Sequence, residues 1–247
     1  MAGFLYPGAP SVNIVAMGGG SMGLGETESL DRELISLTGK GNPLALFIPT
    51  ASMDSEEYIA EFEATYQRLG CRTDALRLHS DDDPNKIDAA DLIYVGGGNT
   101  KMMLDVWKKC WADINLKHHL DDGKPAGGLS AGALCWFRVG NSDWPQYEGI
   151  PGVNTDRLDC LGFVDLVLCP HTRDEGFRLA EFRAMMKKER GPGIGLDDGC
   201  AIQIKGDHYR ILSSMEGSVA HRIEWGHGVL KESVMEPHED FRPLAEI

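Results

Sequence analysis

A serine set between glycines is the residue of this sequence with the clearest capacity for chemistry. The segment GLSAG at 128–132 has the G-x-S-x-G spacing, follows the short apolar run 126–129 and precedes a helix-compatible stretch over 131–137. A sharp turn from strand to helix lifts a serine hydroxyl clear of the sheet, and the helix N-terminus favours an alkoxide or oxyanion. The pattern predicts a nucleophile at Ser130, with a serine that only caps the helix as the alternative.

A second cluster of glycines, GGGNT at 96–100, follows the apolar run 91–95. Glycines in such a turn let backbone N–H groups point outward, as an oxyanion hole requires. Asn99 and Thr100 close the turn, and we predict that they contact substrate. The alternative is that one of them caps the helix that follows.

A histidine and two acids supply the remaining chemistry. His171 follows Pro170 at the end of an apolar run, and Asp197 and Asp198 precede Gly199. A base at the C-terminal end of a strand, oriented by a carboxylate, is what a Ser-His-acid triad requires. A structural histidine and an ordinary acidic turn are the alternatives.

The elements that must position these residues alternate along the first two-thirds of the chain. Apolar runs predict strands over 12–17, 44–49, 73–78, 91–95, 126–129 and 166–169. Helical spacing predicts helices over 27–37, 55–69, 101–111 and 175–189. Asp54 is the predicted N-cap of the second helix, and short strands follow at 201–204 and 209–212. This order predicts one α/β domain, 1–247, with a mostly parallel sheet flanked by helices and a β-rich C-terminal part.

Composition disfavours several classes of partner. The chain has 38 acidic and 24 basic residues, a net charge of -14, and no basic stripe that would bind nucleic acid. No apolar run approaches the ~20 residues that span a membrane, and Met1 to Pro10 lack a signal-peptide pattern. The six cysteines include no C-x-x-C pair. We therefore expect a cytoplasmic protein without metal or cofactor, and a homodimer is left open.

A weaker motif lies directly after the first predicted strand. GGGSMG at 18–23 fits the G-x-G-x-x-G spacing of dinucleotide-binding turns. Such a site also needs an acid near the end of the second strand to hold the ribose, and none occurs before Asp54. Nucleotide binding is therefore the least favoured alternative, and we interpret this turn as part of the same active-site edge.

Four segments together resemble peptidase family S51, which includes dipeptidase E (aspartyl dipeptidase) and cyanophycinase. In chain order they are YVGGGNT at 94–100, GLSAGA at 128–133, PH at 170–171 and GIGLDDGCAI at 193–202. The resemblance extends over roughly residues 12–205. It implies a fold like that of class I glutamine amidotransferases, which is flavodoxin-like, with serine in place of the usual cysteine.

The resemblance also implies roles for individual residues. The triad would be Ser130, His171 and Asp198, in that chain order. The oxyanion hole would be formed by the amides of Ala131 and of Gly98 or Gly97. The activity would be hydrolysis of small peptides through an acyl-enzyme, with dipeptides that begin with aspartate as the substrates typical of the family.

Two departures from the family pattern bear on this interpretation. Relatives usually have Glu where this chain has the shorter Asp198, so Asp197 is the alternative partner of His171. The segment 172–178 does not match the dipeptidase E or cyanophycinase pattern. Its Arg173 and Arg178, with Arg183 beyond it, are candidates to bind a substrate carboxylate, because arginine binds carboxylates bidentately; surface ion pairs are the alternative. These departures leave open a non-catalytic sensor or binding protein of the same fold.

Overall fold

The computed structural model of the protein describes residues 12–80, 82–173, 176–226 and 228–247. The segment 1–10, where no signal peptide is predicted, lies outside the described residues. So does Glu175, the predicted first residue of the last helix.

Strands and helices alternate through the first half of the chain, and strands dominate after residue 192. In chain order the strands are β1 (Asn13–Met17), β2 (Leu44–Ile48), β3 (Arg72–Ala75), β4 (Leu92–Val95), β5 (Ala126–Leu129), β6 (Phe137–Ser142), β7 (Asp156–Asp159), β8 (Val164–Cys169), β9 (Gly193–Leu196), β10 (Cys200–Lys205), β11 (His208–Ser213), β12 (Ala220–Gly226), β13 (Val229–Met235) and β14 (Arg242–Pro243). The helices are α1 (Glu28–Ser36), α2 (Glu56–Arg68), α3 (Lys86–Ala89), α4 (Thr100–Cys110), α5 (Ala112–Asp121), α6 (Ala131–Leu134), α7 (Trp144–Tyr147) and α8 (Arg178–Met186). In the ranges that the structure describes, no helix is long and apolar enough to cross a membrane.

The strands form two sheets. The first has the order β14-β11-β10-β1-β5-β4-β2-β3, in which β1, β5, β4, β2 and β3 run parallel and the C-terminal strands add an antiparallel edge. The second has the order β13-β12-β9-β8-β6-β7, with a parallel centre of β6, β8 and β9. The parallel core and the β-rich C-terminal part agree with the predicted class.

The second sheet arises directly after Ser130. The helix-compatible stretch over 131–137 does start a helix at Ala131, but α6 ends at Leu134 and Phe137 already begins β6. Trp136 and Phe137 are fully buried. Burial of these two side chains outweighs the helical propensity of the segment, so the chain enters β6 of the second sheet three residues after α6 ends.

The first sheet is apolar because it is covered on both faces. The sequences LALFI in β2 and LIYV in β4 are continuous apolar runs, as expected of parallel strands buried between helices. On one face, α2 packs its aromatic residues against Phe47. The ring of Phe62 stacks on Phe47 at 4.6 Å and on Tyr66 at 4.2 Å between centroids. These contacts hold β2 and its neighbour β4 at fixed positions beneath the loops that follow them.

Two boundary predictions near α2 and β3 are wrong. Ser55, not Asp54, is the N-cap of α2, and its Oγ accepts from Tyr58 N–H at 3.4 Å. Asp54 has a φ of 55° and its carboxylate instead accepts from His79 N–H at 2.6 Å. That bond ties the loop after β2 to the short 3-10 turn Leu78–Ser80, so β3 ends at Ala75 rather than at Leu78.

A buried carboxylate lies between α1 and α2. Asp31 is fully buried and accepts from Thr27 Oγ1 at 2.8 Å and from Tyr66 Oη at 3.0 Å. Burial raises the pKa of Asp31 from 3.8 to about 6, although the two hydrogen bonds oppose the rise. A raised carboxyl pKa makes the folded state bind more protons than the unfolded state, so stability from this group falls as pH rises from about 4 through 6.

We expect Asp31→Asn to remove this pH dependence. The free energy of unfolding of the wild type, relative to the variant, should fall between pH 4 and pH 7.5 by an amount on the order of 3 kcal/mol. Urea unfolding of both proteins at several pH values measures that difference. A difference between wild type and variant that stays constant with pH would contradict the assignment of a raised pKa to Asp31.

Candidate active site

The C-terminal ends of parallel strands from both sheets meet at one edge of the molecule. Met17 at the end of β1 accepts through its carbonyl from Ser130 N–H at 3.1 Å, directly after β5. Gly18 accepts from His171 N–H at 3.1 Å, after β8, and Leu196 at the end of β9 accepts from Thr172 N–H at 3.1 Å. These backbone bonds fix three loops from two sheets against one another. In open α/β sheets, ligands bind at this kind of edge.

The turn that carries Ser130 is tight and strained. Ser130 has φ 54° and ψ -112°, a conformation that non-glycine residues rarely adopt. The backbone of β4 passes directly beside the turn. A Cβ at Gly128 would lie 2.2 Å from the carbonyl oxygen of Val95, and one at Gly132 would lie 2.0 Å from the same atom. Both flanking glycines are therefore required by the close approach of β4.

Ser130, His171 and Asp198 form a connected chain of side chains. The Oγ of Ser130 lies 2.9 Å from Nε2 of His171, and Nδ1 of His171 lies 2.6 Å from Oδ1 of Asp198. His171 and Asp198 are partly buried, with 22% and 16% of their side-chain surface exposed. The distances suit proton transfer between Ser130 and His171 and orientation of the imidazole by Asp198.

Asp197 points away from His171. Its carboxylate accepts from Thr172 Oγ1 at 2.7 Å and from Val219 N–H at 3.1 Å, and lies 3.4 Å from Nε2 of His221. Burial acts to raise the pKa of Asp197, but the bonds from His221, Thr172 and Val219 hold it below its ordinary value. Asp197 therefore remains a carboxylate that joins the loop after His171 to the strand β12. Asp198, not Asp197, is in contact with His171.

Two backbone amides beside Ser130 are available to a ligand. Within the part of the chain that the structure describes, the N–H groups of Gly98 and Ala131 have no hydrogen-bond acceptor. Gly97, by contrast, donates its N–H to the phenol oxygen of Tyr58 at 3.4 Å. A Cβ on Gly97 would lie 3.5 Å from Cβ of Ser130, which places this loop next to the serine. Of these two glycines, Gly98 therefore has the free N–H donor, because the N–H of Gly97 is already bonded to Tyr58.

Tyr58 is a feature of the site that the sequence did not reveal. It lies in α2 beneath the glycine loop, and a Cβ at Gly96 would come within 2.9 Å of its ring. Burial raises the pKa of Tyr58 to about 12, so its phenol stays protonated at neutral pH. Its only sequence signal is a position on the apolar face of α2.

The glycine motif at 18–23 packs against the histidine and its acid. Gly19 accepts through its carbonyl from Gly199 N–H at 3.1 Å. A Cβ on Gly19 would lie 1.5 Å from Oδ1 of Asp198 and 2.5 Å from Nδ1 of His171. The need for glycine at this position therefore follows from the His171–Asp198 pair, and the turn lies at the active-site edge.

We expect Gly19→Ala to reduce kcat by about 100-fold or more, because its methyl group must displace Asp198 or His171, and a misplacement of about 1 Å costs that much in rate. Steady-state kinetics measures the effect. Gly41→Ala is the matched control, since a Cβ there meets no atom within 4 Å. Unchanged kcat in Gly19→Ala would show that the spacing of this pair does not limit the reaction.

The side chains of the glycine loop have different surroundings. Asn99 caps α4 through Oδ1, which accepts from Met102 N–H at 3.1 Å, and the residue remains partly exposed at the rim of a cavity. Thr100 is fully buried as the first residue of α4. The predicted contact of Thr100 with substrate therefore disagrees with its position, which is one of packing.

The three arginines after His171 also differ. Arg178 is buried, with its guanidinium 3.6 Å from Asp143. Arg183 forms a bidentate ion pair with Glu232, at 2.7 and 2.8 Å. Arg173 is exposed, and its guanidinium donates to the backbone carbonyl of Glu216 at 3.5 Å. Of the three, Arg173 has the guanidinium that is accessible to a ligand.

The sequence is similar to a family of peptidases and to several named proteins. Peptidase family S51 matches residues 14–212 of the chain. The chain is 35% identical over 216 residues to "Uncharacterized peptidase YgaJ" of Bacillus subtilis, which covers 85% of this chain and 91% of that protein. It is 29% identical over 198 residues to "Peptidase E" of Streptomyces coelicolor, covering 72% and 75% of the two chains. It is 27% identical over 181 residues to "Probable alpha-aspartyl dipeptidase" of Drosophila melanogaster, covering 68% and 71%.

Solved structures agree with these matches at the level of the fold. A peptidase from an acI-B1 Actinobacterium superimposes with a TM-score of 0.72 and 17% identity, over 97% of this chain and all (100%) of that one. A putative Peptidase E from Listeria monocytogenes superimposes with a TM-score of 0.63 and 24% identity, over 82% and 98%. The predicted α/β fold, like that of class I glutamine amidotransferases, is confirmed.

Proposed function

Because the chain belongs to peptidase family S51 and is thus a peptidase, we propose that it is a serine enzyme that hydrolyses small peptides through Ser130, His171 and Asp198. The observation that carries the proposal is the pair of distances that joins these three side chains, 2.9 Å and 2.6 Å. A serine that only caps a helix does not require a histidine at its hydroxyl group, nor a carboxylate hydrogen-bonded to that histidine.

In the first half of the reaction, Nε2 of His171 accepts the hydroxyl proton as Ser130 Oγ attacks the peptide carbonyl carbon. The carbonyl oxygen becomes an oxyanion and accepts from the N–H groups of Gly98 and Ala131. His171 then transfers its proton to the peptide nitrogen, the C–N bond breaks, and the amine leaves. The acyl group remains as an ester on Ser130.

In the second half, a water molecule replaces the amine. His171 accepts a proton from the water at Nε2 as the water oxygen attacks the ester carbon, and the same two amides stabilise the second oxyanion. The proton returns to Ser130 Oγ as the ester bond breaks, which releases the acid. Throughout, Asp198 holds the proton on Nδ1 of His171 and stabilises the imidazolium.

Arg173 supplies charge recognition in this proposal. It lies two residues after His171, it is exposed, and it has no carboxylate partner among the described residues. A small peptide offers two carboxylates, an acidic side chain and its own C-terminus. An arginine binds either one bidentately. Substrates with an N-terminal aspartate are typical of the family and are the first candidates.

We expect Arg173→Ala to raise KM for Asp-Ala about tenfold, with a smaller change in kcat, because the guanidinium binds a group remote from the reacting bond. Comparison with Ala-Ala and with Asp-Ala amide identifies which carboxylate it binds. Arg183→Ala is the matched control, since that guanidinium is already paired with Glu232. Equal KM in wild type and Arg173→Ala for all three peptides would remove Arg173 from the proposal.

The non-catalytic alternative rests on the shorter side chain of Asp198 and on the altered segment 172–178. The first of these features speaks less strongly for it, because Asp198 reaches Nδ1 of His171 at 2.6 Å. The nucleotide alternative is weakened in the same way, since Gly19 is required by that pair.

A further inference from the structure

A cavity opens beside the glycine loop. It has a volume of about 400 Å³ and lies between the 3-10 turn Thr50–Ser52 after β2, the start of α4 and the end of α7. Gly98 and Asn99 form one wall, and Met53, Met102 and Tyr147 form others. We call it the Met53 cavity. Its volume is within the range of sites for small ligands, ~300–1,000 Å³.

The Met53 cavity is joined to the reacting centre through the backbone. Gly98, whose free N–H is a donor for the oxyanion in the proposed mechanism, is also part of the cavity wall. The wall is rigid, because Asn99 N–H donates to Ala51 O at 2.8 Å and a Cβ at Gly98 would lie 2.2 Å from the same oxygen. Because Gly98 belongs both to this wall and to the proposed oxyanion hole, the cavity is an adjoining space that could take a side chain next to a carbonyl group bound at Gly98.

The lining of the Met53 cavity is uncharged and mostly apolar, with polar groups from Ser52, Asn99 and Tyr147. Among the described residues that line it, none carries a carboxylate, ammonium or guanidinium group. Met53 and Tyr147 leave 64% and 56% of their surface exposed, so both present apolar surface at the mouth of the cavity. Lys101, in the first turn of α4 beside Met102, is already paired with Glu148 at 2.5 Å. Methionine is flexible and polarizable, so two of them adapt to apolar groups of different shape.

We propose that the Met53 cavity is a subsite that takes an apolar side chain, of leucine size or larger, from the residue next to the scissile bond. The inference rests on the proposed function for its orientation relative to Gly98, and it deepens that function. The substrates would be small peptides that combine a carboxylate for Arg173 with an apolar residue for this cavity.

The test measures binding rather than turnover, in the Ser130→Ala background so that no peptide is cleaved. Calorimetry gives Kd for two pairs of dipeptides that are nearly isosteric, Asp-Leu with Asp-Asn and Leu-Asp with Asn-Asp. We expect at least about tenfold tighter binding of the leucine peptide in one pair, as is typical of an apolar pocket. That pair also identifies which side of the scissile bond the cavity serves.

Variants assign the preference to the cavity. Met53→Gln and Met102→Gln, each added to Ser130→Ala, keep the length of the side chain and should reduce the ratio of Kd values to below about threefold. Val234→Thr, a similar polar change at an exposed residue of β13, should leave it unchanged. Equal Kd values in both pairs, a ratio that persists in both glutamine variants, or no binding of any dipeptide would overturn the inference. Failure of the wild type to hydrolyse dipeptides, with binding preferences intact, would contradict the proposed function but not the subsite.

Discussion

Replacing Ser130 by alanine is expected to reduce kcat for dipeptide hydrolysis by at least about 10⁴-fold, because no other group supplies the bond-forming oxygen. His171 and Asp198 would remain in place, since their contact with each other does not depend on the serine. The residual rate would reflect stabilisation of an oxyanion formed by direct attack of water. Steady-state kinetics on Asp-Leu or Asp-Ala, with active-site concentration known, measures the loss.

The fold of the Ser130→Ala variant provides its control. Alanine has the same backbone preferences near φ 54° as serine, so the unfolding temperature should change little. Peptide binding should also persist, because Arg173 and the Met53 cavity are unaltered. Wild-type turnover by the variant would show that the hydrolysis does not use this serine.

Replacing Asp198 by asparagine is expected to reduce kcat by about 10³–10⁴-fold at neutral pH, the second largest effect. The amide keeps the size of the side chain but cannot stabilise the imidazolium, and its NH₂ group favours the wrong tautomer of His171. KM should change far less, because Asp198 contacts His171 rather than substrate. Steady-state kinetics of wild type and variant from pH 6 to 9 gives the ratio of their kcat values, and the expected loss at neutral pH tests this role.

The neighbouring acid offers a matched comparison for Asp198→Asn. Asp197 carries the same charge one residue away, but its partners are Thr172, Val219 and His221. Asp197→Asn should lower the unfolding temperature, because one of the bonds to a buried carboxylate is lost, and should retain most of kcat. If Asp197→Asn lost as much kcat as Asp198→Asn at equal stability, the assignment of the triad acid would be wrong.

Much of the parallel core could be predicted from the sequence because its strands are continuous apolar runs closed by glycine or proline. The strand Ala126–Leu129 was predicted at the observed bounds, and β1, β2 and β4 differ by one residue at their ends. The second sheet could not be predicted in the same way. Its strand β6 begins only seven residues after Ser130, which leaves room for no more than a short helix between them. The sequence FRVGNS also lacks the regular apolar pattern that predicts a strand.

The sequence predicts which four segments form the candidate site. It does not predict which atoms of those segments contact one another, and the structure supplies these contacts. Asp197 and Asp198 are adjacent acids, and the structure places Asp198 against His171 and Asp197 against Thr172, Val219 and His221. The spacing at 18–23 indicates a tight turn, but the reason for Gly19 lies 179 residues further along the chain, at Asp198. Tyr58 and the Met53 cavity depend on packing between α2, α4 and α7, which no local pattern specifies.

The central claim is that Ser130 is an activated nucleophile, and its covalent labelling tests that claim most directly. The protein is treated with a fluorophosphonate probe, digested, and the modified peptide is identified by mass spectrometry. We predict one adduct on Ser130, formed much more slowly in His171→Ala and absent in Ser130→Ala. No adduct, or an adduct on another residue that persists in Ser130→Ala, would contradict the account.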